Sequence, residues 1–253
     1  MNLGEPIGKG WTSDIYQFGE GQILKLYHKS IPEEFIVYEF NASKYAFELG
    51  LPVPQVICEI ERVNNRLGFC MEYVKGSTMR DLIRNDPYKT PHYYKLAAEL
   101  HARIHTCSGA GLHSYKVRLI NKVKKTKVLP RKHRKECYGA LENLPDGDRL
   151  CHGDFSTGNI MVTDEGKLFI IDWSHAGCGE PISDFTRTHI ISQLFQLIDS
   201  TYLEAYLSFS NHTMDDIDQW IKPTAISLIY DIPQYRKQLM AIATDGLDAL
   251  RKF

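Results

Sequence analysis

The stretch His152-Gly153-Asp154-Phe155-Ser156-Thr157-Gly158-Asn159, followed thirteen positions after Asn159 by Asp172 in Ile170-Ile171-Asp172-Trp173, constrains this chain more than any other part of it. Asp154 and Asn159 stand five residues apart, so one loop can present both side chains to the same space. The segment between Asn159 and Asp172 predicts a hairpin. Met161 to Thr163 and Leu168 to Ile171 flank the turn Asp164-Glu165-Gly166-Lys167, which returns Asp172 to the neighbourhood of Asn159. Asp and Asn also serve simply to stabilise tight turns. The arrival of Asp172 in the same context favours a chemical reading. A carboxylate to hold an attacking hydroxyl, plus two oxygen-bearing side chains to hold magnesium against phosphates, is what phosphoryl transfer from ATP requires. Asp154 suits the first role; Asn159 and Asp172 suit the second.

The chain around this stretch divides in character. Up to about residue 75 it reads as short strands and turns with one inserted helix. Gly4, Gly8, Gly10, Gly19 and Gly21 punctuate the opening, Ile23 to Tyr27 forms a strand, and further apolar runs lie at Val56 to Ile60 and Leu67 to Tyr73. Pro32, Glu33 and Glu34 suit the first turn of a helix that Gly50, Pro52 and Pro54 terminate. After Gly76 the periodicity becomes mostly helical. Ser77 is a candidate cap for a short helix through Ile83, and Ala97, Leu100, Ile104 and Cys107 share one face of a longer one. Pro223 and Pro233 are expected to divide the final helices. The prediction is an α+β protein of two lobes, residues 1–75 and 76–253.

At this point the residues resemble a family. H-G-D-x-x-x-x-N followed by I-D-W is similar to the aminoglycoside phosphotransferase and choline kinase superfamily, relatives of the protein kinases. The resemblance implies a protein-kinase-like two-lobed fold, with a β-rich N-lobe carrying one helix and a mostly helical C-lobe. It implies that Asp154 is the catalytic base and that Asn159 and Asp172 bind magnesium. Gly8-Lys9-Gly10-Trp11-Thr12-Ser13 resembles a kinase glycine-rich loop, placing Gly8, Gly10 and Ser13 near the phosphates of ATP. Lys25 takes the position of the phosphate-binding lysine. Glu39 is the choice for its helix partner, with Glu34 as rival. Met71-Glu72-Tyr73-Val74-Lys75-Gly76 resembles the segment joining the lobes, where the backbone around Glu72 and Tyr73 would receive adenine. Gly179-Glu180-Pro181-Ile182-Ser183-Asp184-Phe185 resembles an element whose Asp supports the catalytic loop, which implies a structural role for Asp184. The resemblance extends from Gly8 to about Asp184. Ser156 stands where many relatives have His, and no Arg precedes Asp154, which argues against a phosphorylation-controlled protein kinase.

Other features carry less. His101 and His105 lie at i, i+4 on a helix, yet Ala102 follows the first, so the H-E-x-x-H logic of a zinc hydrolase is absent and structural histidines are expected. Residues 116–135 hold ten Lys or Arg and no acid, in a chain of formal net charge −1. Such runs are usually solvated faces. Apart from Tyr115 no aromatic residues are interleaved, so base stacking is unsupported and a nucleic-acid partner is not expected. Six scattered cysteines without a C-x-x-C pair fit reduced thiols. The opening residues lack the form of a signal peptide and no apolar run spans a bilayer, so a cytoplasmic location without membrane contact is expected.

The expected activity is an ATP-dependent, magnesium-requiring phosphotransferase acting on a hydroxyl of a small molecule such as an aminoglycoside, an amino alcohol or a sugar. Two rivals stand beside it. One is a compact Ser/Thr protein kinase, which the short interval between Asp172 and Asp184 leaves little platform for. The other is a nucleotide-binding module without catalysis, against which the joint presence of Asp154, Asn159 and Asp172 speaks.

Overall fold

Alternation of side chains about Lys25 organises the N-terminal sheet. In a computed structural model, which describes residues 3–126, 131–195, 200–250 and 252, the chain separates into two compact units. The first comprises residues 1–85 and 157–175, the second residues 86–156 and 176–253. This division differs from the single cut after residue 75 expected from the sequence. Strand Gly76–Thr78 pairs with strand Ile160–Thr163, which in turn pairs with Leu168–Ile170, so backbone ladders tie residues 157–175 to the first unit. Gly76 is required at that ladder, because a Cβ there would lie 2.1 Å from the Val162 carbonyl oxygen.

The first unit is built on a five-stranded antiparallel sheet. Its strands are β1 (Gly8–Lys9), β2 (Ser13–Gln17), β3 (Gln22–Tyr27), β4 (Glu61–Val63) and β5 (Arg66–Glu72), in the order β1-β2-β3-β5-β4. Asn64 and Asn65 form the two-residue turn between β4 and β5 with φ of 49° and 63°, the left-handed pair that a tight hairpin requires and that Asn tolerates. Period-two alternation sends Leu24 and Leu26 to one face, with Val63 and Cys70. Tyr27 goes to the other, where Phe69 and Met71 meet Ile36 and Phe40 of helix α1 (Glu33–Glu48).

Helix α1 carries Glu33 and Glu34 in its first turn and ends at Gly50, whose φ of 74° lets its N–H reach the Phe47 carbonyl. Its buried stripe is Ile36, Glu39, Phe40, Ser43 and Ala46. An acid therefore sits on the apolar face. Val56 to Ile60, expected as a strand, makes only an isolated bridge from Val56 to Met71. The Cys70 carbonyl takes the amides of both Ile57 and Cys58, which breaks the regular register. Helix α2 (Met79–Asn85) is capped by Thr78, whose hydroxyl oxygen accepts the Asp81 amide at 3.1 Å, one residue beyond the expected Ser77.

The second unit is helical. Helix α3 (Thr90–Thr106) packs on α7 (Ser200–Phe209), and α8 (Met214–Asp231) packs against α4 (Tyr115–Lys125), α5 (Arg131–Asn143) and α6 (Pro181–Leu194). A two-stranded ladder joins Arg149–Cys151 to Gly177–Gly179. Pro223 lies inside α8 rather than between helices. That helix is held by burial of Ile217, Trp220, Ile221, Ala225, Ile226, Leu228 and Ile229, and tertiary packing outweighs the lost backbone bond. Pro233 does end it. No helix among the described residues is long and apolar enough to cross a membrane.

Candidate active site

The predicted site residues fall in both units. In the first, Lys25 leaves the same face of β3 as Tyr27 and meets the buried stripe of α1. Its ammonium is ion-paired with Glu39 Oε1 and lies 3.6 Å from Asp172 Oδ1. The Tyr27 hydroxyl donates to Glu39 Oε2 at 2.6 Å, so both oxygens of that carboxylate are engaged. Burial alone would lower the Lys25 pKa, but the Glu39 and Asp172 carboxylates outweigh it and hold the ammonium above its ordinary value. Burial and then the Glu39 charge push the Tyr27 phenol far up, so it stays a donor. Glu34, the rival partner, is exposed.

Asp172 has φ of 65°, a conformation a non-glycine residue adopts at a cost and mostly where function or packing demands it. The Ser174 hydroxyl donates to its Oδ1 at 2.9 Å. Trp173 is buried behind it and donates its indole N–H to the Ile170 carbonyl. The Ile171 amide donates to the Asn159 carbonyl at 2.9 Å, and the Ile170 amide to the Pro52 carbonyl at 2.7 Å. The hairpin thus brings the backbones of Asn159 and Asp172 side by side and anchors them to the segment that leaves α1. The Arg80 guanidinium packs over Gly158, where a Cβ would lie 2.2 Å from it and displace that side chain.

Gly8 on β1 and Ser13 on β2 flank the β1–β2 turn that holds Gly10, closed by a Gly10 amide to Ser13 carbonyl bond of 2.8 Å, with Trp11 fully exposed at its tip. The Glu72 amide donates to the Gln55 carbonyl and the Tyr73 amide to the Gly21 carbonyl.

In the second unit the loop bearing Asp154 hangs from one helix. Asp184, on α6 and fully buried, accepts the His152 amide at 2.7 Å and the Gly153 amide at 2.9 Å. Its Oδ2 also receives His101 Nε2 and His105 Nε2, each at 3.3 Å. The far nitrogens of those rings pair with the Tyr202 and Tyr206 hydroxyls at 2.7 Å. Each ring thus faces Asp184 with Nε2 and a tyrosine hydroxyl with Nδ1, so both of its nitrogens have a partner. These three residues have the composition of a metal site, but the hydrogen bonds account for them without an ion. Burial, then proximity to His105, lowers the His101 pKa to about 3. For Asp184 burial acts upward, yet the bonds from His101 and His105 hold it well below the carboxylate range.

Sequence reasoning missed the partner of Asp154. Arg187 Nη2 lies 3.3 Å from Asp154 Oδ1, and Arg187 Nη1 lies 2.8 Å from Asp231 Oδ2. Lys122 Nζ reaches the same Asp231 oxygen at 2.7 Å. The available signal was an arginine three residues after Asp184, on the same face of the expected helix. The basic stretch is likewise partly absorbed by structure. Lys116 donates to the Glu142 and Leu144 carbonyls, Arg118 to the Ala176 carbonyl, and Lys122 pairs with Asp231. Lys127 lies outside the described residues.

Comparison with known proteins agrees with the fold. The chain is similar over 98% of its length to a thermostable aminoglycoside phosphotransferase APH(4)-Ia solved with ADP and hygromycin B, at 16% identity, 92% coverage of that chain and a TM-score of 0.68. It is similar to the GDP and kanamycin complex of an APH(2") enzyme at 15% identity, with 98% and 91% of the two chains covered and a TM-score of 0.60. An aminoglycoside-3'-phosphotransferase of type VIII matches at 16% identity, 90% coverage of each chain and a TM-score of 0.62. No curated protein matches. These likenesses establish the α+β, kinase-like fold, with a β-sheet N-lobe and a helical C-lobe. Residues 4–218 match the model of the phosphotransferase enzyme family, and the chain belongs to that family.

Proposed function

We propose that this chain transfers the γ-phosphate of ATP to a hydroxyl of a small molecule, with Asp154 as the base. The observation that carries the reading is the buried Lys25–Glu39 pair set 3.6 Å from Asp172. A lysine kept charged and fixed by a carboxylate is suited to phosphate oxygens, and its placement against Asp172 joins the nucleotide-handling groups in one unit. Asn159 and Asp172 offer oxygen donors from adjacent backbone positions, a donor set that fits magnesium; the ion would supply neutralisation of phosphate charge. Gly8, Gly10 and Ser13 would cover the phosphates, and the strand end at Glu72 and Tyr73 would take adenine.

Asp154 accepts the hydroxyl proton as the oxygen attacks phosphorus. Its side chain is 40% exposed, so a substrate hydroxyl can reach it. The bonds from His152 and Gly153 to Asp184 hold the loop in place during the transfer, which depends mainly on positioning. The candidate acceptors are an aminoglycoside, an amino alcohol or a sugar; the first is supported by neighbours of the same fold that were solved with hygromycin B and kanamycin. A cytoplasmic site of action accords with use of ATP.

The test is ADP release from MgATP against kanamycin, hygromycin B, choline, homoserine and simple sugars, with Asp154→Asn as control. A stimulated rate that falls about 100- to 10,000-fold in the variant, with MgATP binding kept, is the expected result. Full turnover by Asp154→Asn would remove Asp154 from the role of base.

A further inference from the structure

Helix α6 holds the loop through three residues on one face. Asp184, Arg187 and Thr188 stand at i, i+3 and i+4, so their side chains project along one stripe. Asp184 takes the amides of His152 and Gly153, Arg187 takes the Asp154 carboxylate, and the Thr188 hydroxyl donates to the Phe155 carbonyl at 3.0 Å. Four consecutive loop residues are therefore gripped by one turn of helix. Only the Arg187 contact reaches a side chain, and that side chain is the carboxylate read above as the base.

Arg187 is itself clamped. Its side chain is 8% exposed, and its second terminal nitrogen pairs with Asp231 at the end of α8. Asp231 is shared with Lys122 of α4. The four groups form a chain, Asp154–Arg187–Asp231–Lys122, with two positive and two negative charges drawn from the loop and three helices. A guanidinium can bridge two carboxylates because its donors diverge in a rigid plane; an ammonium presents no such fork. Asp154 is the most exposed member, and it is the one a torsional swing would misplace. Its Asp231 counterpart is 18% exposed and holds two cations on one oxygen, Oδ2.

We propose that Arg187, locked from behind by Asp231 and Lys122, is a positioning residue that fixes the orientation of the Asp154 carboxylate for proton acceptance. The inference rests on the reading of Asp154 as the base. Arg187 acts through Asp154 and needs no contact with nucleotide. Loss of the fork allows the carboxylate to rotate, which lowers the frequency of productive geometry rather than the affinity for substrates.

The experiment measures ADP release from MgATP, with water as acceptor and with whichever panel compound stimulates most, for Arg187→Gln, Arg187→Lys, Arg187→Ala and Asp231→Asn. Circular dichroism of each variant establishes folding, with Arg187→Lys as the variant that keeps the charge if the others unfold. The expected result is a fall in kcat of about 10- to 100-fold in Arg187→Gln, with KM for MgATP unchanged. Arg187→Lys recovers little of the loss, and added guanidinium ion raises the rate of Arg187→Ala but not that of Asp154→Asn. In an Asp154→Asn background, Arg187→Gln has no further effect. If Asp154→Asn is inactive while a folded Arg187→Gln turns over like the parent, this inference falls and the base assignment stands. The inference also falls if Arg187→Gln adds its own loss on top of Asp154→Asn, or if guanidinium gives no rescue. If Asp154→Asn is fully active, the base assignment fails and the inference with it.

Discussion

Replacement of Asp184 by Asn tests the support of the Asp154 loop with little change in volume. The carboxylate has no exposed surface and receives four donors, two backbone amides and two imidazole nitrogens. Three of them, His152 N and the Nε2 atoms of His101 and His105, converge on Oδ2. The Asn oxygen will therefore take that side, which turns the new NH₂ group toward the Gly153 amide. One charge-assisted bond is lost, about 1.5–3 kcal/mol, and a buried N–H is left facing another donor, about 1–3 kcal/mol. Relief from burying a charge acts in the opposite direction. We expect a net loss of about 3 kcal/mol. Urea unfolding followed by Trp220 fluorescence, in a background where Trp11 and Trp173 are Phe, reports on the unit that holds Asp184. The midpoint should fall with an unchanged slope. A loss below about 1 kcal/mol would refute the claim that this carboxylate organises four donors.

Acid should destabilise the protein above the range where carboxylates titrate. Burial holds His189 near 4, and burial with His105 holds His101 near 3, both below the unfolded value of 6.5. The folded state binds fewer protons, so stability is full above 6.5 and declines as pH drops toward 4, by up to about 1.4 kcal/mol per pH unit for each histidine. Urea midpoints at pH 7.5, 5.5 and 4.5 check this; a flat profile, or one that His101→Gln leaves unchanged, contradicts it. Glu39→Gln removes the charge facing buried Lys25 and should cost about 3 kcal/mol of stability. It should also weaken MgATP binding roughly tenfold, about 1.4 kcal/mol, in a calorimetric titration. Parental affinity would show that Glu39 does not organise Lys25 for nucleotide.

Local features were legible where chain proximity creates them. The turn between Thr163 and Leu168, the helix after Pro32 and its end at Gly50 follow from residues within a few positions of one another. The spacing from Asp154 through Asn159 to Asp172 needed only one loop and one hairpin to acquire meaning. Glu39 was legible as a charge at mid-helix, and the structure adds that the stripe around it is apolar. What the sequence left open were pairings whose members are far apart along it. Arg187 meets Asp154 from 33 residues away and Asp231 from 44, and Lys122 meets Asp231 from 109. No local periodicity encodes such a distance. Pro223 was misread because a propensity rule for isolated helices yields to burial on several sides, and Val56 to Ile60 because an apolar run does not state which carbonyls its amides will find. The sequence by itself thus determined the chemistry available and the short-range elements that carry it. Packing of helices against one another decided which charges face Asp154, because long-range ion pairs exist only once burial has made solvent a poorer partner than another side chain.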